Sequence, residues 1–204
     1  MFYEKELISL YDRFSEFKWE NESVYAEYLA QSFYYIRHST KMLALSAGYI
    51  GFDDVKVFRR MVRHIGEEMS HEILCTRDLE VLGKSLDTYE EMPATQSLYQ
   101  PQYYKIQHQN PTAYLGYIYV LESICCSVVP KVLTKKLNPI YPEGATSFLR
   151  LHGEEDPDHL EKAKETISSL NEENRKAVAQ NMLHTIEAYK HFLNSIEARW
   201  SHKN

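Results

Sequence analysis

The sequence predicts an all-α protein, and three features indicate this. Apolar residues recur at helical spacing along most of the chain, and no stretch alternates apolar and polar residues as a β-strand does. Seven glycines and seven prolines in 204 residues leave long stretches without interruption. Six or seven helices around one core form a helical bundle, and the chain length favours a single domain over residues 1–204.

Each helix is predicted from its periodicity and from the residues that start or stop it. Asn21 or Ser23 can cap the second helix, Asp53 or Asp54 can begin the third, and Gly83 stops it. The predicted helices cover about Tyr3–Phe17, Val24–Tyr49, Val55–Leu82, Pro111–Val129 and Thr146–Glu154, with a sixth after Pro157 and a last one from Asn171 to about Trp200. The segment Lys84–Asn110 contains two prolines and is expected to hold one short helix.

Composition narrows the classes of function. The formal net charge is −6 and no basic block exceeds two residues, so nucleic acid is not an expected partner. The chain has no signal-peptide pattern and no apolar run typical of a membrane span, so we expect a cytoplasmic protein with no membrane partner. Three cysteines (Cys75, Cys125 and Cys126) fit a reducing compartment rather than a disulfide framework.

His152, Asp156 and His159 follow one another at spacings of four and three residues. On a regular helix they would fall within an arc of roughly 60°. Two imidazoles and a carboxylate form a nitrogen and oxygen donor set that suits iron, manganese or zinc better than calcium or magnesium. The alternative is an ordinary helix start, with Asp156 as the N-cap and Pro157 in the first turn.

A second pair of donors, Glu68 and His71, lies on the predicted third helix. A Glu-x-x-His pair inside a bundle is the ligand unit of di-iron carboxylate proteins. The same spacing is common on exposed helices, and Glu67 is a rival for Glu68. His64 lies on the same side of the helix and could contact a metal ligand and fix its orientation.

Glu122 is the only charged residue of the most apolar predicted helix. A buried carboxylate costs several kcal/mol unless it is paired with a cation, so it pairs either with an arginine or lysine or with a metal ion. Together the three segments supply enough donors for two metals with open positions. The predicted metal ligands are Glu68, His71, Glu122, His152, Asp156 and His159.

Several further residues are candidates for the pocket around such a centre. His184, Glu187 and His191 form a polar stripe on the last helix, which we expect to be an outer or pocket-lining face, and His38 is another candidate. The aromatic lining is expected to include Tyr34, Tyr35, Tyr117 and Tyr119. Cys125 and Cys126 follow Glu122 closely and fit small core residues better than nucleophiles.

Four stretches resemble the haem-oxygenase-like di-metal oxidases and oxygenases, the iron-containing redox enzymes. These are relatives of the thiaminase-II-like and pyrroloquinoline-quinone-synthase-like families and of the Chlamydia death-domain-associating protein. The stretches are Tyr34–Leu45, His64–Glu72 with Asp78–Gly83, Pro111–Tyr117 leading to Glu122, and Phe148–His159. The resemblance implies a seven-helix fold, a central cofactor, the six ligands named above and a homodimer.

From the donors and the resemblance we expect a non-haem di-iron enzyme, or one with iron and manganese. It would activate O₂ to oxidise a small organic substrate, with electrons from an external donor. Two rival hypotheses remain. A metal-free, thiaminase-like hydrolase would use Cys125 or Cys126 as its nucleophile, and a non-catalytic helical binding protein would show no metal dependence.

Overall fold

In this computed structural model the backbone is described for residues 3–154 and 158–201, and the side chains for residues 3–153 and 160–201. The described residues form helices joined by turns, with no β-strand among them, so the predicted all-α class is confirmed. The α-helices are α1 (Glu4–Glu16), α2 (Glu22–Ile36), α3 (Ser39–Tyr49), α4 (Val55–Glu67), α5 (Glu72–Val81), α6 (Pro93–His108), α7 (Tyr114–Ser127), α8 (Val129–Val132), α9 (Ser147–Glu154), α10 (Asp158–Ser168) and α11 (Glu172–Ser201). Short 3₁₀ turns lie at Phe52–Asp54, Leu86–Thr88, Pro111–Ala113 and Glu143–Ala145, and a π-turn at Leu133–Leu137.

The predicted second helix is interrupted, which corrects the prediction of one helix over Val24–Tyr49. The chain turns at Arg37 and His38 without a proline or glycine, and the His38 N–H bonds back to the Tyr35 carbonyl at 3.2 Å. The His38 ring stacks on Tyr99 of α6 at 4.0 Å and bonds the Tyr103 hydroxyl at 2.9 Å. These contacts with a distant segment stabilise the break, and hydrophobic periodicity does not reveal them.

The predicted third helix is also two helices. α4 ends at Glu67 and α5 begins at Glu72, with Ser70 between them in the left-handed region at φ 72°. Glu68 and His71 therefore do not lie on one continuous helix, as their spacing had suggested. They lie in the turn between α4 and α5.

The segment Lys84–Asn110 is more regular than predicted. α6 occupies sixteen residues, starts with Pro93 and continues through Pro101. An internal proline removes one backbone hydrogen bond and costs about 3 kcal/mol. Buried Leu98, Gln102 and Ile106 pack on the rest of the bundle, and this packing outweighs the local penalty.

The apolar helix α7 forms the centre of the bundle and lies against α11. At Gly116 the two backbones approach so closely that an added Cβ would lie 2.3 Å from the Val178 carbonyl oxygen. The stretch Pro111–Leu137 is long and apolar enough to span a membrane by length and composition, and 78% of its most apolar window is buried in the bundle. Its hydrophobicity is thus that of a core helix.

Candidate metal centre

A cavity of about 60 Å³ lies inside the bundle between α2, α3, α4, α7, α9 and α11. Most of its wall is apolar, with side chains such as Leu43, Ile118 and Val129. Its polar lining includes His64, Glu68, Glu122 and His152. A space of this size holds small ions and waters, so the polar groups are in the place where a buried ion would bind.

The first group of donors comprises His64, Glu68 and Glu122, whose ligand atoms all lie within 4.8 Å of one another. His64 Nε2 is 3.1 Å from Glu68 Oε1 and 3.3 Å from Glu122 Oε1. The exposed fractions of the three side chains are 4%, 16% and 7%, so two carboxylates converge on one imidazole away from bulk solvent. Two buried carboxylates this close favour a bound cation.

The second group comprises Glu68, His71 and His152, also within 4.8 Å. Glu68 Oε2 is 3.8 Å from His71 Nδ1, and the rings of His71 and His152 lie 5.0 Å apart at an angle of 80°. The turn between α4 and α5 thus brings Glu68 and His71 together even though no helix joins them. Glu68 belongs to both groups, with one carboxylate oxygen toward each.

The backbone of α9 sets the tautomer of His152. Its Nδ1 lies 2.7 Å from the Phe148 carbonyl oxygen, which can only accept, so Nδ1 carries the proton and Nε2 keeps a free lone pair. Burial lowers the pKa of His152 below its ordinary value. Both effects favour a neutral imidazole, the form that binds metals.

Charges around Glu68 favour its ionised form. Burial raises the pKa of Glu68, but the hydrogen bond from His64 and the nearby His152 and His71 outweigh that effect and lower the pKa to about 2. A carboxylate that is ionised at all physiological pH values is suited to bind a cation.

Glu67, the rival candidate ligand, faces another way. Its Oε2 accepts a hydrogen bond from Arg60 Nη1 at 2.9 Å and lies 3.7 Å from His64 Nδ1. Glu67 therefore lies on the far side of the His64 ring from Glu68. It can orient that imidazole, as carboxylates behind metal-bound histidines do.

Asp78 of α5 holds the start of α9, the helix that carries His152. Its two oxygens accept the backbone N–H groups of Ser147 at 3.1 Å and Phe148 at 2.8 Å. Burial raises the pKa of Asp78 to about 6, although these hydrogen bonds act in the opposite direction. The residue caps a helix from a distant segment, and it thereby fixes where His152 enters the cavity.

The structure brings four of the six predicted ligands together: Glu68, His71, Glu122 and His152. His152 lies on α9, which ends at Glu154, and α10 begins at Asp158. The side chains of Asp156 and His159 lie outside the described residues.

Of the predicted pocket tyrosines, Tyr35 and Tyr117 line the cavity. Tyr119 does not, because it is about 200° from Tyr117 around α7 and lines a separate cleft beside α10 and α11. Tyr34 bonds the Tyr89 carbonyl at 2.6 Å, away from the cavity.

Three of the predicted pocket histidines, His38, His184 and His191, also lie away from the cavity. His38 faces α6 through the contacts described above, and His184 Nδ1 is 2.5 Å from Lys105 Nζ. Glu187 and His191 are exposed, and Glu187 pairs with Lys190 at 3.1 Å. α11 buries its apolar stripe in the core, so its polar stripe faces outward, the outer position that the sequence allowed.

The sequence predicted that His64 would orient a metal ligand. In the structure its Nε2 faces both carboxylates of the cavity directly. The signal in the sequence was its spacing of four residues from Glu68, which places Glu68 one helical turn after His64, at the end of α4. Tyr117 contributes a further polar atom, a buried hydroxyl with no hydrogen-bond partner among the described residues. Burial raises its pKa well above the ordinary value, so it is a neutral donor at the cavity wall.

The donor set fits a transition metal. It combines imidazole nitrogens with carboxylate oxygens, in two groups that share one carboxylate, which suits iron or manganese. Calcium and magnesium prefer oxygen ligands alone.

Solved structures share this architecture at low sequence identity. A domain of unknown function with a heme oxygenase-like fold from Shewanella denitrificans OS217 superposes with a TM-score of 0.85 and 20% identity, covering 97% of this chain and 91% of that chain. A TenA homologue from Pseudomonas syringae pv. tomato DC3000 superposes with a TM-score of 0.77 and 13% identity, covering 95% of this chain and 90% of that chain. A CADD-like protein of unknown function from Nostoc punctiforme PCC 73102 superposes with a TM-score of 0.70 and 16% identity, covering 95% of this chain and 87% of that chain.

The fold is therefore that of the haem-oxygenase-like all-α proteins. No curated protein matches the sequence. The profile of the family described as iron-containing redox enzyme matches residues 26–190, and the chain belongs to that family.

Proposed function

We propose that the protein is an O₂-activating oxidoreductase that holds two iron ions, or one iron and one manganese ion, in its central cavity. The observation that carries this proposal is the position of Glu68, a single carboxylate shared by two buried donor groups. Carboxylates and imidazoles that project inward from several helices hold the two metals of di-iron bundle proteins. Family membership supports iron, and the buried nitrogen and oxygen donors support a redox-active metal.

Each donor group would hold one of the two metal ions. His64 and Glu122 would hold one ion and His71 and His152 the other, with Glu68 between them. Asp156 and His159 are proposed to complete the set. The carboxylates offset the metal charge, and the bound metals would supply the redox chemistry that activates O₂.

The walls of the cavity suggest the class of substrate. The surroundings of the donors are mainly aliphatic and aromatic, so they favour a small organic molecule with an apolar body, for which the cavity of about 60 Å³ would have to widen. Tyr117 can donate a hydrogen bond to a polar group on that molecule. We also propose an external electron donor, a cytoplasmic location and a homodimer.

The test is metal uptake followed by exposure to O₂. Protein loaded anaerobically with Fe(II) should hold two irons per chain by elemental analysis, and O₂ should then produce a visible absorption transient. The His152→Ala/His159→Ala double variant should lose both. The His184→Ala/His191→Ala double variant is the matched control, because its histidines have the same spacing of seven residues but face away from the cavity. The proposal would be refuted if the wild-type protein took up no iron, or if the His152→Ala/His159→Ala variant showed the same transient as the wild type.

A second candidate function is a metal-free hydrolase. Cys125 lines the cavity, and one neighbour in structure is a TenA homologue. This hypothesis predicts activity in iron-free protein that is lost on alkylation and in Cys125→Ser. Cys126→Ser is the control, because Cys126 is not part of the cavity lining.

A further inference from the structure

The outer face of α4 carries an exposed apolar stripe. Val55, Phe58 and Val62 have exposed fractions of 41%, 42% and 47%, and Phe52, in the turn before the helix, is fully exposed. At about 100° per residue the three helical positions fall within an arc of roughly 60°. Contiguous apolar surface of this kind marks an interaction site more often than scattered apolar residues do.

A basic stripe runs beside it. Lys56, Arg59 and Arg63 are exposed and fall within a neighbouring arc of roughly 60° on the same helix. None of the three forms an ion pair with a residue that the structure describes. The chain as a whole has a net charge of −6, so this concentration of positive charge contrasts with the rest of the molecule. Such a face attracts a negatively charged partner.

The apolar stripe lies across α4 from the candidate metal centre, roughly 120–180° around the helix from His64, and the basic stripe lies on the flank of the helix, roughly 80–140° from His64. His64 is on the buried side of the helix, about 180° from Val55. A single helix about 10–12 Å in diameter therefore separates a partner on this face from the donors in the cavity.

We propose that this face of α4, defined by Val55, Lys56, Phe58, Arg59, Val62 and Arg63, docks a small acidic electron-transfer protein. The inference rests on the proposed function, since it assigns the site where electrons reach the metal pair. Each one-electron carrier that docks would be oxidised once and would give up one electron. Two carriers would therefore supply the two electrons that a pair of ferric ions takes up to become ferrous.

Charge favours this occupant over a second copy of the chain. In a two-fold dimer through this face, the same three cations of each copy would be brought near each other, and like charges disfavour that contact. An acidic protein presents the opposite charge to the basic stripe, and its apolar contacts can cover Phe58 and Val62. An anionic membrane is also negatively charged, and the experiment distinguishes membrane binding from protein binding.

The experiment measures binding and electron transfer separately. The probe is a small acidic [2Fe–2S] ferredoxin, titrated calorimetrically into the metal-free protein and, in its reduced form, mixed anaerobically with the ferric protein in a stopped-flow instrument. The variant is Lys56→Gln/Arg59→Gln/Arg63→Gln. The matched control is Lys5→Gln/Lys131→Gln/Lys135→Gln, which removes three exposed cations elsewhere.

We expect the Kd for ferredoxin to rise with salt, and to rise about tenfold or more in the α4 variant but not in the control. Ferredoxin reoxidation should slow to a similar extent, while reduction of the iron by dithionite should be unchanged. Iron that binds and is reduced by dithionite, with no ferredoxin binding, would overturn the docking site and leave the proposed function intact. A protein that takes up no iron but still binds ferredoxin would refute the proposed function and leave the docking site intact.

Two further outcomes would overturn the docking site. One is binding to phosphatidylcholine vesicles that contain phosphatidylserine, lost in the α4 variant, without ferredoxin binding. The other is a dimer in sedimentation equilibrium that Phe58→Ser dissociates, since that would assign the face to a second copy.

Discussion

Glu68→Gln is the most direct test of the shared carboxylate. Glutamine keeps the shape of the side chain but removes its charge. The pKa of Glu68 is about 2 against an ordinary value of 4.5, and this difference corresponds to about 3 kcal/mol of stabilisation of the ionised form. The metal-free variant should therefore lose up to about 3 kcal/mol of unfolding free energy at neutral pH, because the buried His64 loses its charged partner.

The larger effect should be on metal binding. Because Glu68 contributes to both donor groups, the variant should fall from two irons per chain to fewer than one. Glu122→Gln, which affects only the first group, should retain about one ion. Glu67→Gln should keep both ions at saturating iron, because its carboxylate faces Arg60 at 2.9 Å and is not a ligand, although the ion held by His64 should bind more weakly.

The assay combines elemental analysis after anaerobic loading with urea unfolding of the metal-free protein, followed by circular dichroism. Two outcomes would refute the shared position of Glu68. One is full iron content in Glu68→Gln; the other is loss of iron in Glu67→Gln with Glu68→Gln unaffected. An unchanged unfolding free energy in Glu68→Gln would show that the carboxylate is not held by His64 as the structure has it.

Three further predictions follow from particular contacts. Gly116→Ala should destabilise the protein by about 3 kcal/mol or more in thermal unfolding, because the new Cβ would meet the Val178 carbonyl oxygen, whereas Gly48→Ala, with nothing within 4 Å, should not. The raised pKa of Asp78 means that the folded state binds a proton more tightly than the unfolded state, so this contribution is complete below pH 3.8 and is lost as pH rises to about 6. The stability of wild type relative to Asp78→Asn should thus fall by at most about 3 kcal/mol across that window, and a flat difference would contradict it. Tyr117→Phe should change the unfolding free energy by less than about 1 kcal/mol, because the hydroxyl has no partner among the described residues, and a larger loss in urea unfolding would show a hidden hydrogen bond.

Much of the centre could be predicted because its residue types are unusual in their local setting. Glu122 is a lone charge on an apolar helix, and His152 belongs to a compact run of metal-binding residue types. Burial makes such residues costly unless they are paired with a cation, so local composition already indicated a function. The stripe on α11 has the same residue types, and its outward position depends on which face of that helix the core requires.

The sequence by itself determined the helical class, the approximate helix ends and the kinds of donor available. These depend on local periodicity, on capping residues and on prolines, all of which act over a few neighbouring positions. Only the tertiary structure decided that the chain breaks at His38 and near Ser70 and that α6 continues through Pro101. Those features depend on contacts between segments far apart in the chain, such as His38 with α6 and Asp78 with α9, and no local pattern encodes them.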